Sequence, residues 1–375
     1  MTEDCLFLDV HVPGKILRRP EQGKKGSKDA PVLVWVGLPS LASQSNRSLH
    51  SFYPLQIHGG GYTLSSKIGH PTPGFDPSGL LGHAEQLQRS HDSTGMIFVS
   101  LNYRLGAFGF LSSADNTSTP NAGLLDQRLA LEWVQSHIHR FGGDRDRVTL
   151  MGQSAGGGSI MFHISAYAVR GQKPPFSQAI LQSPAALPAQ VATERPYAEF
   201  LAAMKVRSLD EARALPSEAV VLANQEQIRT AKGTNYVHVP SVDGVTVVGS
   251  LGDLFKRGGV VSKKSAVRIM VGHGTREGAF LFDPTVKTEG DFEQWLRWSV
   301  GGLSDAQVRE LMEKVYPPVF DGSYGYTGQG SRQMALYGEG VLDCNFVWAG
   351  EAPAGDVYAC EFSFQLLNLI RPFCP

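Results

Sequence analysis

The sequence predicts an α/β fold in which a mostly parallel sheet carries helices on both faces and a helical cap region. Three observations predict it. Short apolar runs alternate with amphipathic stretches, and their order is strand, helix, strand, helix, strand. The 375 residues, 42% of them hydrophobic, are also enough to bury a sizeable core. We expect one domain over residues 1–375, without an internal repeat of fixed period.

The first half of the chain supplies three predicted strands and a long predicted helix. Apolar alternation or continuous apolar runs predict strands at Cys5–Val12, Pro31–Val36 and Met96–Leu101. Between Leu124 and Phe141 the apolar residues recur at helical spacing, and Gly142 and Gly143 follow as a stop signal. This segment is therefore predicted to be an amphipathic helix.

The second half of the chain continues the alternation. Strands are predicted at Val148–Gly152, Ala179–Gln182 and Val267–Val271, and a helix is predicted after Ser154. The segment from Glu194 to Ala231 is rich in Ala, Glu, Leu and Arg, which favours helices. We expect these helices to form a cap over the sheet.

Charge and cysteine content exclude several classes of function. The 34 Lys and Arg against 35 Asp and Glu give a net charge of -1, so no basic field exists to hold nucleic acid. The four cysteines are scattered and form no C-x-x-C pair, so neither a metal site, a cofactor nor a disulfide scaffold is expected. No apolar run reaches the ~20 residues of a membrane span, and the first residues do not resemble a signal peptide.

The pentapeptide Gly152-Gln-Ser-Ala-Gly156 places Ser154 between a predicted strand and a predicted helix. The glycines on either side let the chain turn sharply without a Cβ clash, and the turn would hold the serine hydroxyl above the sheet. A glycine- and serine-rich turn without function is the alternative for a bare five-residue pattern. Because a strand and a helix flank this one, we interpret Ser154 as a catalytic nucleophile.

A glycine-rich segment, His58-Gly-Gly-Gly-Tyr62, precedes the serine motif in the chain. A nucleophilic serine needs N–H donors for the oxyanion that forms on the attacked carbonyl, and glycines let the backbone approach that oxygen. No Gly-Lys-Ser/Thr follows, which argues against a phosphate-binding loop. We therefore predict that the N–H groups of Gly60, Gly61 and Ala155 form an oxyanion hole, and that His58 is structural.

Several blocks of the sequence resemble the type B carboxylesterases, the family that includes the cholinesterases. In the family's order they are Glu3–Val10, His58–Tyr62, Asn102–Leu111, Asn121–Gln127, Phe141–Asp144 and Gly152–Gly156. The resemblance implies an α/β-hydrolase fold, a Ser/Glu/His triad, and small-molecule carboxylic esters attacked through an acyl-enzyme. It also implies that the chain covers part of such a domain.

The resemblance suggests the acid of the triad as well. Glu277 follows the predicted strand Val267–Val271 and falls where the family has a Glu-Gly motif, so its carboxylate could reach the carboxyl edge of the sheet. A surface glutamate is the alternative. Ser183 resembles a buried serine that supports the family's site, or it is a plain strand-end serine. Asp243 is interpreted as a turn residue.

The family's histidine has no counterpart in this sequence. In α/β-hydrolases the chain order is serine, acid, histidine, and none of the eleven histidines follows Glu277. The resemblance implies a His-Gly block soon after Val357–Ser363, where the sequence instead reads Phe364–Pro375. His163 and His273 are the two substitutes to consider, and neither is expected to serve as the base.

Two segments depart from the family. We expect residues 36–56 to be an insertion, either a retained intron or a surface loop, and residues 364–375 to be a tail foreign to the family. The sequence thus predicts a serine hydrolase of carboxylic esters that lacks its catalytic histidine, or alternatively a catalytically silent binding module or inactive fragment. Poor solubility is also expected, because missing strands would expose apolar surface and strand edges.

Overall fold

A seven-stranded sheet organises the molecule. The computed structural model describes residues 4–17, 29–35, 60–63, 66–67, 76–87, 95–113, 117–186, 194–233, 236–256, 267–352 and 356–363. The strands are β1 (Leu8–His11), β2 (Ala30–Trp35), β3 (Ile97–Leu101), β4 (Gly143–Gln153), β5 (Gln178–Gln182), β6 (Arg268–Gly274) and β7 (Val357–Phe362). Their spatial order is β1-β3-β2-β4-β5-β6-β7, and β1 pairs antiparallel with β3 while the other pairs are parallel.

Helices connect and cover these strands. The described α-helices are α1 (Gly14–Leu17), α2 (Ser78–Leu87), α3 (Gly106–Phe110), α4 (Ala122–His137), α5 (Ala155–Val169), α6 (Glu194–Ala203), α7 (Leu209–Arg213), α8 (Ser217–Arg229), α9 (Leu251–Lys256), α10 (Glu289–Ser299), α11 (Asp305–Glu310), α12 (Gln329–Gly338) and α13 (Cys344–Gly350). Short 3-10 helices occur at Ile138–Phe141 and Glu277–Phe280, and π-helices at Leu311–Val315 and Glu339–Asp343. In the described part of the chain, no helix is long and apolar enough to cross a membrane.

The mostly parallel sheet predicted from the sequence is confirmed, and its register gathers the candidate residues at one edge. Gln153 at the end of β4 lies opposite Gln182 of β5, and Gln182 lies opposite Gly272 of β6. Because these strands are parallel, the segments that follow their carboxyl ends meet on one side of the sheet. Ser154, Ser183 and Glu277 all belong to such segments.

The helix that begins directly after Ser154 lies in the core of the protein. Ile160, Met161, Phe162 and Ile164 of α5 are all buried. A helix that is apolar around its whole circumference is stable only when protein surrounds it. The turn that carries Ser154 is therefore anchored to a well-packed element.

The helices predicted between Glu194 and Ala231 are present as α6, α7 and α8. Phe200 of α6 and Ala223 of α8 pack with Ala107 and Leu111, in and next to α3. A second apolar cluster is formed by α10, α11, α12 and the π-helix Glu339–Asp343 with their connecting segments, and it includes Phe292, Trp295 and Tyr337. His58 and the predicted segments 36–56 and 364–375 lie outside the described residues.

Candidate active site

The backbone at Ser154 is held in a sparsely populated conformation between β4 and α5. Its φ is 54° and its ψ is -122°, and holding a non-glycine residue there costs about 1–3 kcal/mol. The Ser154 N–H donates to the carbonyl of Gln182 at 2.9 Å. The Ser154 carbonyl accepts from the N–H groups of Gly158 and Ala185 at 3.0 and 2.9 Å. These three bonds fix the strained turn.

Two glycines let α5 approach the sheet at this turn. A Cβ atom on Gly152 would lie 2.5 Å from the carbonyl carbon of Gly156, and one on Gly158 would lie 2.1 Å from the carbonyl oxygen of Ala185. Both distances are shorter than van der Waals contact. Neither position has a side chain. Helix α5, strand β4 and the segment after β5 can therefore pack against one another around Ser154.

The glycine-rich loop also has a left-handed backbone. Gly61 has φ 55° and Tyr62 has φ 63°. The Thr63 N–H and hydroxyl both donate to the Gly60 carbonyl, at 2.9 and 3.0 Å, and the Gly106 N–H donates to the Tyr62 carbonyl at 2.7 Å. The loop is thus tied both to itself and to the start of α3.

A single cavity brings most of the predicted site residues together. It spans about 520 Å³ of unfilled space, a figure that includes open solvent at its mouth. The described residues that line it are Gly61, Tyr62, Gln153, Ser154, Ala155, Ser183, Ala185, Tyr236, Val239, Glu277, Leu281, Tyr337, Val341 and Leu342. Gly60 is not among them, whereas the other two predicted N–H donors, Gly61 and Ala155, are.

Glu277 is fixed from two directions. Its Oε1 accepts hydrogen bonds from the Ser183 hydroxyl and from the Gly274 N–H, each at 2.6 Å. Ser183 is itself in a left-handed conformation, with φ 45°, and its N–H donates to the Gly272 carbonyl at 2.7 Å. Glu277 Oε2 accepts no hydrogen bond from the described residues. It is the oxygen that could accept an N–H from an imidazole.

His163 does not line the cavity and has other partners. It is fully buried in α5, its Nε2 lies 2.8 Å from Gln127 Oε1, and the Arg128 guanidinium donates to its Nδ1 at 3.4 Å. Burial, together with the positive charge of Arg128, lowers the pKa of His163 to about 3. This environment keeps the His163 imidazole neutral near pH 7.

Two other described histidines do not line the cavity either. His238 is buried with its Nε2 2.8 Å from Gln227 Oε1, and burial lowers its pKa to about 4. The His273 ring stacks on Phe346, with centroids 3.9 Å apart, and its Nδ1 lies 3.3 Å from Asp343 Oδ1. Burial raises the pKa of the Asp343 carboxyl, although His273 opposes that shift.

Asp243 occupies the turn that its sequence context predicts. Its Oδ1 accepts from the backbone N–H groups of Val245, Thr246 and Val247, and its Oδ2 accepts from the Asn121 amide. Burial alone would raise the pKa of this carboxyl, but these hydrogen bonds lower it below its ordinary value. The carboxylate therefore closes a turn and does not line the cavity.

Most of the apolar lining of the cavity was not identified from the sequence. Tyr236 lies so close to the glycine loop that a Cβ on Gly61 would be 1.7 Å from Tyr236 Cε1. Burial raises the pKa of Tyr236, so its phenol is neutral. Leu281, Val341 and Leu342 complete much of the lining. These residues carry no motif, and only the packing of distant loops and helices brings them to Ser154.

Comparison with known proteins finds similar chains over nearly the whole sequence. The family model described as the Carboxylesterase family matches residues 54–314. Carboxylesterase patB of Aspergillus clavatus is 38% identical over 372 residues, which cover 96% of this chain and 60% of that protein. Carboxylesterase patB of Penicillium expansum is 39% identical over 375 residues, with 97% and 60% covered. The chain thus spans 60% of the length of these two relatives.

A solved structure and a more distant relative extend this comparison. The crystal structure of Aspergillus niger EstA aligns with a TM-score of 0.66 at 25% identity, covering 94% of this chain and 61% of that one. The Inactive carboxylesterase-like protein VdtD of Byssochlamys spectabilis is 26% identical over 336 residues, which cover 84% of this chain and 50% of that protein.

Proposed function

Because this chain belongs to the carboxylesterase family and has an α/β-hydrolase fold, we propose that it hydrolyses small-molecule carboxylic esters through an acyl-enzyme. The observation that carries the proposal is the strained turn at Ser154, which opens into the same cavity as Gly61, Ala155 and the fixed carboxylate of Glu277. Strain of this kind costs stability and persists at sites where its geometry is used. Among the described lining residues, Glu277 is the one with a carboxyl group, and none is a lysine, arginine or histidine, which suits an uncharged ester.

The proposed reaction has two halves. Ser154 Oγ attacks the carbonyl carbon while a base takes its proton, and the carbonyl π electrons move onto the oxygen. The N–H groups of Gly61 and Ala155, with Gly60 as the third predicted donor, would hold this oxyanion, each contributing about 3 kcal/mol. The alcohol then leaves with a proton. Water attacks the acyl-serine in the same way, releasing the acid and restoring the serine hydroxyl.

We infer that none of the described histidines His163, His238 and His273 is the base. His163, His238 and His273 have Gln127, Gln227 and Asp343 as partners, and none of the three lines the cavity. We infer that Glu277, supported by Ser183, orients a different imidazole. In this fold the catalytic histidine follows the acid in the chain. Because the sequence has no histidine after Glu277, we expect this base to be missing.

A catalytically silent binding module is the second candidate. Two observations favour it: the absence of a histidine after Glu277 in the sequence, and the similarity to a relative described as an inactive carboxylesterase-like protein. Without a base a serine hydroxyl is a poor nucleophile at neutral pH, although an oxyanion hole alone supports residual catalysis. The cavity would then bind an ester without cleaving it.

A fluorophosphonate probe distinguishes the two candidates. An activated serine displaces fluoride from phosphorus and becomes covalently labelled. We expect labelling of the folded protein and slow hydrolysis of p-nitrophenyl butyrate, with both lost in Ser154→Ala. Ser165→Ala is the matched control, because Ser165 lies in α5, the helix that begins directly after Ser154, and its hydroxyl donates to the Met161 carbonyl, one turn back. A folded protein that is neither labelled nor active would support the silent module.

A further inference from the structure

Two glycine residues, Gly278 and Gly338, contact each other next to Glu277. Gly278 follows Glu277 in the chain, and Gly338 ends α12. A Cβ on Gly338 would lie 2.8 Å from Gly278 N and 3.0 Å from Gly278 Cα, and a Cβ on Gly278 would lie 1.9 Å from the Met334 carbonyl oxygen. The contact is therefore backbone against backbone, and neither position has room for a side chain.

The backbone conformation of Gly338 does not require glycine. Its φ and ψ are -59° and -52°, ordinary helical values, where alanine is more favourable than glycine. The feature of the described structure that needs glycine there is the close approach of Gly278. The contact links α12 to the segment that carries Glu277.

The carboxyl group of Glu277 is sensitive to movement of this segment. Its Oε1 is held by two short hydrogen bonds, from Ser183 and Gly274, and Glu277 begins the 3-10 helix that continues into Gly278. A backbone shift at Gly278 therefore acts one residue away from the carboxylate. A displacement that lengthens either hydrogen bond would also redirect Oε2.

The other side of the contact is anchored. The π-helix Glu339–Asp343 follows Gly338 directly, and the Tyr316 hydroxyl donates to Glu339 Oε2 at 2.7 Å. The Ala186 N–H donates to the Val341 carbonyl at 3.2 Å. The buried Asn345 side chain donates to the Ala186 carbonyl at 3.0 Å. A methyl group added at Gly338 is therefore expected to displace Gly278 more than the helix. π-Helices are frequent at functional sites.

We propose that Gly338 is a positioning residue, which sets the place of the Glu277 carboxylate through its contact with Gly278. This inference rests on the proposed function, in which Glu277 orients the imidazole base. Gly338 itself touches no reacting atom. Its part is to keep the acid at the distance that its two hydrogen bonds define.

The test compares alanine variants at two glycines that are two residues apart in the chain. Gly338→Ala places its Cβ against Gly278, whereas nothing lies within 4 Å of a Cβ on Gly340, so Gly340→Ala is the matched control. If the protein hydrolyses p-nitrophenyl butyrate, we expect kcat to fall at least tenfold in Gly338→Ala, with KM within twofold and an altered pH profile of kcat. Small misplacements of catalytic groups have effects of this size. Gly340→Ala should keep the wild-type values.

A second readout does not depend on activity. The Gly274 N–H donates to Glu277 Oε1, so its backbone amide resonance reports the place of the carboxylate. We expect that resonance to move upfield in Gly338→Ala and to stay in place in Gly340→Ala. An unmoved Gly274 resonance in folded Gly338→Ala overturns the inference. A moved resonance in a protein without hydrolysis supports it while the proposed function fails.

A milder variant covers the case in which Gly338→Ala does not fold. Tyr316→Phe removes the hydrogen bond to Glu339 and adds no atoms. It loosens the anchor of the π-helix, so a smaller shift of the Gly274 resonance is expected, with kcat two- to threefold lower if the protein is active. An unchanged Gly274 resonance in folded Tyr316→Phe counts against the inference.

Discussion

His163 is the buried titratable residue nearest in the chain to the nucleophile motif, and its surroundings keep it neutral. Its ring nitrogens face Gln127 and Arg128. A second positive charge beside Arg128, without a counterion in contact, is costly inside a protein. The same interactions that make His163 unsuitable as a base make it a source of pH-dependent stability.

The free energy of unfolding should fall on acidification because of His163. Its pKa is about 3 in the folded protein and near 6.5 in the unfolded chain, so the unfolded state binds more protons between these values. Stability is therefore full above about pH 6.5 and declines by up to about 1.4 kcal/mol per pH unit below it. Urea unfolding of wild type and His163→Gln at pH 7.5, 6 and 5 measures this.

The variant should show a shallower decline, and its difference from wild type should be constant above pH 7. Equal slopes for the two proteins below pH 6 would mean that His163 is not neutral when folded. His238, whose pKa is also lowered by burial, to about 4, adds a decline that both proteins share.

From the sequence, Ser154, Ser183 and Glu277 were predicted to belong to one site. Each of them follows a predicted strand, and the ends of parallel strands meet. Tyr236, Leu281 and Tyr337 were missed because nothing local marks them. An apolar side chain in a loop has the same pattern whether it lines a cavity or fills a core, and only tertiary packing decides.

The start of α5 is packed so closely that it tolerates little change. A Cβ at Gly158 would lie 2.1 Å from the carbonyl oxygen of Ala185, a residue that lines the cavity. Gly158→Ala should therefore lower the free energy of unfolding by about 1–3 kcal/mol, the usual cost of overpacking. Denaturant unfolding provides the measurement.

Gly82→Ala is the control for this prediction. Gly82 also lies inside a helix, α2, but nothing is within 4 Å of a Cβ built on it. Alanine should then stabilise by about 0.5–1 kcal/mol, because glycine is a poor helix residue. If both variants changed stability in the same direction, close packing at Gly158 would not be the cause.

Elements with a buried apolar pattern could be predicted and those without one could not. Strand β2 is almost wholly buried and was found to within a residue or so. Strand β4 begins five residues before its prediction, because the segment from Gly143 to Arg147 is largely polar and exposed. Strand β7 was not predicted. It is an exposed edge strand whose side chains follow no strict alternation.

Over the whole molecule, β7 presents the most exposed apolar side chains of the described sheet. Tyr358 is 65% exposed and Phe362 is 63% exposed, and Met270, which pairs with Tyr358, is 49% exposed. Among the described strands β7 pairs with β6 alone. An apolar edge strand of this kind is a template for self-association.

Tyr358→Lys should therefore reduce aggregation. A lysine on an edge strand is a common protection against edge-to-edge pairing. Light scattering during concentration and binding of an apolar dye should both decrease relative to wild type. Tyr324→Lys serves for comparison, since Tyr324 is 49% exposed but belongs to none of the described strands. An equal improvement in both variants would assign the effect to net charge.

The hydrogen bonds that hold the two serine turns run in one direction across the sheet. The Ser154 N–H is bound by the last residue of β5, and the Ser183 N–H by a residue of β6. Each turn thus has a backbone N–H hydrogen bond to the neighbouring strand in addition to the contacts of its own segment. Local opening of β6 would remove the acceptor of the Ser183 N–H, and because β5 pairs with β6, it would also leave the strand end that binds the Ser154 N–H without one of its neighbours.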